Sequence, residues 1–332
     1  MSYNWDTKRL LEAAYLTAIM TFFAAAGLYV PGLMVFTIFL SAIPLVILTI
    51  KAGEKIAILS IAACYILIIL LTGEIIVATT TLFSFCFAGL ALGYGLKSKW
   101  EFNKLFIFSS GAYLVSLLAT ILLINNIEGI NLIDKLIIEP VTEFFAQAEK
   151  DLNEVAKALG NNQVYAGGLT ILKDIVGLLI PSFFIVSSTL FGYITLILSK
   201  SILNRIGYDY RYLPRFFELK VNRGTAVVFV LSFILSITIN EVTISAALAN
   251  ITFILSVILM VCGLSVLDFF VKKAGIPGYV RVIIYIIVFA ITTLLGVVIP
   301  LLHPLNALII LALIDSTFDF RKLGHKGENH GQ

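Results

Sequence analysis

Ten predominantly apolar stretches alternate with short polar turns along this chain: 10–29, 33–50, 56–72, 75–96, 105–124, 175–199, 224–239, 243–271, 280–300 and 304–316. A helix needs about 20 residues to cross roughly 30 Å of hydrocarbon, so most of these stretches are long enough to span a bilayer. The pattern predicts an all-α fold, a polytopic transmembrane helix bundle of about 8–10 segments. The last stretch is short and reads as a partial span packed against its neighbour, with Pro300 and Pro304 making the turn between them. Pro44 and Pro181 fall inside segments and are expected to kink them, because each removes a backbone donor and crowds the preceding turn.

One region departs from this rhythm. Residues 125–170 are polar and acidic, and within them Val141, Phe144, Phe145, Ala148, Leu152, Val155 and Leu159 recur at helical spacing opposite Glu143, Glu149, Asp151, Glu154 and Lys157. This predicts an amphipathic helix starting near Pro140 and ending at Gly160-Asn161-Asn162. Such a helix lies on the outer leaflet, packs on the bundle, or lids an outward cavity. The chain thus divides into an N-terminal membrane bundle (1–124), an extracytoplasmic amphipathic helical insertion (125–170), a C-terminal membrane bundle (171–323) and a tail expected to be disordered (324–332).

Charge gives the orientation. When the segments are threaded through a bilayer with the N-terminus inside, nineteen of the 23 Lys and Arg residues fall on the inner side. The four outside, Lys135, Lys150, Lys157 and Lys173, lie in or just after the long insertion, where the positive-inside rule is weak. Both termini are therefore expected in the cytoplasm. The first segment, which follows Lys8 and Arg9, is the length of a span and longer than the apolar core of a cleavable signal peptide.

Composition agrees and narrows the classes. Of 332 residues 60% are hydrophobic and 13% charged, with a mean hydropathy of +1.02, against about a quarter charged in a soluble domain. The expected primary partner is the lipid bilayer. Nucleic acid is not expected, since no basic patch stands outside the membrane-flanking turns. Cys64, Cys86 and Cys262 lie in apolar segments without metal or redox spacing and read as packing residues.

Signatures of enzyme chemistry are missing. There is no GxSxG elbow, no HExxH, no phosphate-binding glycine loop and no intramembrane carboxylate pair, so neither a catalytic residue, a metal nor a cofactor is expected. The polar groups in or beside apolar segments are few, and their cost there makes them the candidates for function. Glu74, Asn240, Glu241 and His303 fall near the outer face, with Thr79, Thr80, Thr81 and Asn250 up to two turns deeper, and of these Glu74, Thr79, Asn240, Glu241 and Asn250 would serve as ligand-binding anchors of an outward pocket. Polar residues also meet headgroup water at such turns without any further role. Asp268, just before Lys272-Lys273, reads as an inner salt bridge or a helix end. Ala14 and Ala18, and Gly89, Gly93 and Gly95, form small-residue faces suited to close helix approach, within the chain or with a second membrane protein. The inner segment from Tyr208 to Phe217 mixes aromatics with Arg211 and Arg215, an interfacial anchor or a docking surface for a partner.

The C-terminal run Asp315-Ser316-Thr317-Phe318-Asp319-Phe320-Arg321 resembles the closing Asp-x-x-x-Asp-Phe-Arg motif of the YybS-like bacterial membrane proteins. The run from Gly263 to Lys273 before a glycine-proline turn is similar to that family too, and places the chain in a bacterial cytoplasmic membrane. The N-terminal segments also look like the S components of energy-coupling-factor vitamin transporters and, more distantly, like the rod-shape protein MreD. The S-component resemblance implies a substrate-binding, transport-related subunit with an outward-facing pocket for a vitamin-like molecule; for this chain the expected ligand is a small hydrophobic or amphipathic molecule. It also implies a membrane coupling subunit docking on Ala14 and Ala18. The MreD resemblance implies instead a non-transporting envelope or morphogenesis scaffold, with envelope proteins held by Arg211, Arg215, Asp319 and Arg321.

Overall fold

In a computed structural model the described residues are 7–30, 32–158, 166–208, 214–298 and 303–321. They are almost wholly helical, and no strand occurs among them. Among the described residues six helices are long and apolar enough to cross a membrane, and four shorter apolar helices accompany them. These ten correspond one to one with the ten stretches read from the sequence.

The helices pack as two compact units, Met1–Leu213 and Pro214–Gln332. The first holds α1 (Thr7–Tyr29), α2 (Met34–Lys51), α3 (Glu54–Thr72), α4 (Ile75–Phe83), α5 (Cys86–Lys97), α6 (Phe102–Glu128), α7 (Glu139–Ala158) and α8 (Ala166–Arg205). The second holds α9 (Arg223–Thr238), α10 (Val242–Lys273), α11 (Gly278–Val298) and α12 (Pro304–Phe318). α8 falls in the first unit because it lies against α6 and α2.

In the first unit α2 is central, packed by α1, α5 and α8. Met20, Leu45, Leu48, Ile68 and Phe85 are fully buried there. The fourth apolar stretch is two helices, broken where the fully buried Phe85 leaves helical geometry. The glycines explain how closely α5 approaches its neighbours. A Cβ at Gly89 would lie 2.8 Å from Leu45 Cδ2, one at Gly93 2.6 Å from Thr49 Cβ, and one at Gly95 2.7 Å from Leu105 Cδ2. This small-residue face is used inside the chain. α2 and α8 both continue through their prolines. At 40 residues α8 would extend about 60 Å, roughly twice the hydrocarbon thickness.

The amphipathic helix begins differently from expectation. A π-helical turn at Asp134–Ile138 runs directly into α7, so Pro140 is the second residue of a helix already under way. Proline lacks the donor and crowds the preceding turn, and a widened turn is where a helix accommodates it. Phe144 on this helix is 69% exposed. The expected stop at 160–162 and the 324–332 tail lie outside the described residues.

Large apolar side chains point outward along the spans, Leu70, Ile107 and Ile237 among them. In water such a surface would drive aggregation. In hydrocarbon it is the ordinary lipid-facing side of a membrane helix, and it accounts for why buried residues are the minority in every span.

Candidate functional site

The residues singled out from the sequence have distinct surroundings. Glu74 is exposed at the entry to α4, and its carboxylate bonds to no described residue. Thr79 lies within 3.1 Å of the Tyr65 hydroxyl and donates to the Ile75 carbonyl at 2.8 Å. Asn240 is exposed, and Glu241 caps α10 by accepting from the Ile244 amide at 3.1 Å. Asn250 is half-buried and donates to the Ala246 carbonyl at 2.9 Å. Ala14 and Ala18 lie on the exposed face of α1, whereas Ala13, Thr17 and Met20 point into the bundle. Glu74 and Thr79 belong to the first unit and the other three anchors to the second. A capping carboxylate at a helix N-terminus contributes about 0.5–1 kcal/mol. Glu241→Ala is therefore expected to lower the thermal unfolding temperature of the purified protein slightly, read by a melting curve in detergent.

The C-terminal motif makes the most densely bonded cluster described in the second unit. α12 ends because Asp319 adopts a left-handed conformation (φ 46°, ψ 52°), which aspartate tolerates better than most residues. The turn returns Arg321 beneath the helix end, where it is 5% exposed. All five of its N–H donors are used. Nε and Nη2 donate to Asp315 Oδ2 at 3.1 and 2.8 Å. Nη1 reaches the Phe217 carbonyl and Ser265 Oγ, both at 2.8 Å, and Nη2 also reaches the Leu219 carbonyl at 2.8 Å. Lys220 pairs with Asp319 Oδ1 at 2.6 Å, Arg223 donates to the Thr317 carbonyl at 3.0 Å, and Lys272 lies 3.6 Å over the Phe217 ring. The clamp fastens the segment 214–223 to α10 and α12. Arg321 and Asp319 thus act first within the chain. Arg215 is exposed, and Arg211 lies outside the described residues.

Beside this clamp the helices leave a gap. α12 packs closely on α10, and Gly263 permits it: a Cβ there would fall 2.7 Å from the Leu308 carbonyl carbon. α11 leans chiefly on α12. A partly open cavity of about 270 Å³ results, walled by Leu264 and Leu267 of α10, Val288 and Phe289 of α11, and Ala307 and Leu308 of α12. Tyr285 and Thr292 add two hydroxyls, although Thr292 bonds back to its own helix. The Tyr285 hydroxyl donates to Asp268 Oδ1 at 2.6 Å, and Arg281 Nη1 reaches the same oxygen at 3.3 Å. Of the two readings of Asp268, the salt bridge is the one present, with Arg281 of α11 as its partner. Among the described residues no group of three or more His, Cys, Asp or Glu could hold a metal ion.

A family model described as a predicted membrane protein, DUF2232, matches residues 18–302. The chain belongs to that family. This DUF2232 protein is also similar to the uncharacterised protein YybS of Bacillus subtilis (strain 168), 26% identical over 324 residues, covering 95% of this chain and 98% of the relative. The relative bears out the YybS-like resemblance read from the sequence. No solved structure matches. The DUF2232 match ends at 302, so the Asp315–Arg321 clamp lies beyond the matched residues. What sequence reasoning missed in this chain is the cavity, whose lining residues look like any other apolar span positions. The available signals were Gly263, which marks a close approach, and Tyr285 with Arg281, polar groups one turn apart on α11.

Proposed function

We propose that this protein is a membrane-embedded binding protein for a hydrophobic or amphipathic molecule, held in the cavity between α10, α11 and α12. The cavity carries the reading. Small-molecule sites are concave, mostly apolar and fitted with a few polar groups, at roughly 300–1,000 Å³; at about 270 Å³ and partly open, this one lies just below that range and would take part of a single hydrocarbon chain. Its walls are helices whose outer faces are apolar, so a ligand entering sideways from lipid need not cross water. Glu74, Thr79, Asn240, Glu241 and Asn250, the anchors expected from the sequence, are not among the residues lining it.

In a transport-related setting of the S-component kind, the exposed Ala14 and Ala18 face of α1 is the surface for a coupling subunit, with both termini in the cytoplasm as the charge pattern places them. The test is photolabelling with a diazirine-bearing alkyl lipid, with the modified peptides mapped. Labelling concentrated on 264–268, 285–292 and 304–311, and lost in Ala307→Trp, is expected. Labelling spread evenly over all lipid-facing helices would remove the site.

A second reading, the MreD-like scaffold, is favoured by one observation: the clamped segment 214–223 leaves Arg215 exposed. Neutralising Arg211 and Arg215 together is then expected to abolish co-purification of envelope proteins. Arg321 should stay intact in that test, because its loss would disturb the segment itself.

A further inference from the structure

Resting on the reading that the cavity holds the hydrocarbon part of an amphipathic molecule, we infer that the occupant is an anionic phospholipid whose headgroup is selected at Arg281. Lipid tails are as apolar as the leucines around them, so moving a chain from bilayer to cavity gains little beyond packing. Discrimination must come from the polar end. The structure supplies one next to the cavity. Tyr285 both lines the cavity and bonds to Asp268, and Arg281 lies one helical turn earlier on α11.

Arg281 is only partly spent. Nε donates to the Ile276 carbonyl at 3.0 Å and Nη1 to Asp268 at 3.3 Å, while Nη2 has no partner among the described residues. Its side chain retains 23% exposure. Lys272 and Lys273 end α10 and are both exposed; Lys272 lies over the Phe217 ring, which leaves Lys273 and Arg281 as the two cations set against the carboxylate of Asp268 here. Asp268 sits five residues before Lys273, about 7.5 Å along the helix, which keeps the group within reach of headgroups. The two free N–H donors on Nη2 can each reach a phosphate oxygen, and the neighbouring Lys273 adds attraction. A zwitterionic headgroup carries its own ammonium and gains less from the same excess of positive charge.

The test is native mass spectrometry of the protein from mixed micelles with equal phosphatidylglycerol and phosphatidylcholine. The wild type is expected to retain one lipid per chain, with phosphatidylglycerol favoured about fivefold or more. Arg281→Gln is expected to retain a lipid without that preference. Lys273→Gln, at an exposed position that should not affect folding, is expected to reduce it. Ala307→Trp is expected to lose the lipid altogether. Equal retention of both lipids by the wild type, or an unchanged preference in Arg281→Gln, overturns the headgroup assignment and leaves the cavity reading standing. Failure of the wild type to retain any lipid overturns both.

Discussion

Replacing Arg321 with methionine is expected to destabilise the protein by about 3–5 kcal/mol, the cost of leaving a buried carboxylate without its partner. The Asp315–Arg321 pair is almost fully removed from solvent, both of its hydrogen bonds fall on Asp315 Oδ2, and Asp315 Oδ1 has no donor among the described residues. The variant also strips a donor from the Phe217 carbonyl, while the Leu219 carbonyl keeps Ser265 at 3.0 Å. The loss should be local as well as global. Amides of Glu218 and Leu219 are expected to exchange faster with solvent deuterium, and protease to cut first within 214–223. The double variant Asp315→Leu with Arg321→Met should recover much of the loss, because an apolar pair avoids the stranded charge. Equal instability of single and double variants would show that the backbone carbonyls, not the carboxylate, carry the cost.

Gly263→Val is expected to cost about 3 kcal/mol, at the upper end for overpacking. The obstructing atoms are the Leu308 backbone, and a main chain cannot swing aside as a side chain can. Separating α10 from α12 also moves Leu308, which walls the cavity, so ligand retention should fall together with stability. Gly111→Ala makes the comparison: nothing lies within 4 Å of a Cβ there, and that change should be neutral or slightly stabilising in a thermal melt. A Gly263→Val protein as stable as the wild type would mean that α10 and α12 do not approach this closely.

The helices were legible in the sequence because their cause is local. Twenty apolar residues must hydrogen-bond internally in hydrocarbon, and only a helix does so within one segment. The break at Phe85 was not legible, since it accompanies burial of that side chain in a core shared with α1, α2, α3 and α4 rather than any helix-breaking residue. The C-terminal motif was visible as a motif but not as a clamp. Its partners are the Phe217 and Leu219 carbonyls and Ser265, distant in sequence and without any chemical signature. For Asp268 the sequence leaves a salt bridge and a helix end both open, and its partner Arg281 lies on the next helix, beyond a turn whose direction the sequence does not give. The cavity was wholly hidden, because it is a gap between three helices and depends on how closely Gly263 brings two of them together. Polar residues at helix ends drew attention to themselves instead, and at least Glu241 has a capping role.

The central claim is that the cavity binds one amphipathic molecule, and native mass spectrometry of the protein gently extracted from its own membranes tests it most directly. Wild type is expected to carry a single retained molecule per chain, while Ala307→Trp and Val288→Trp, which fill the cavity from opposite walls, carry none and remain folded. The same complement of bound molecules on all three proteins, or none on the wild type, would contradict the account.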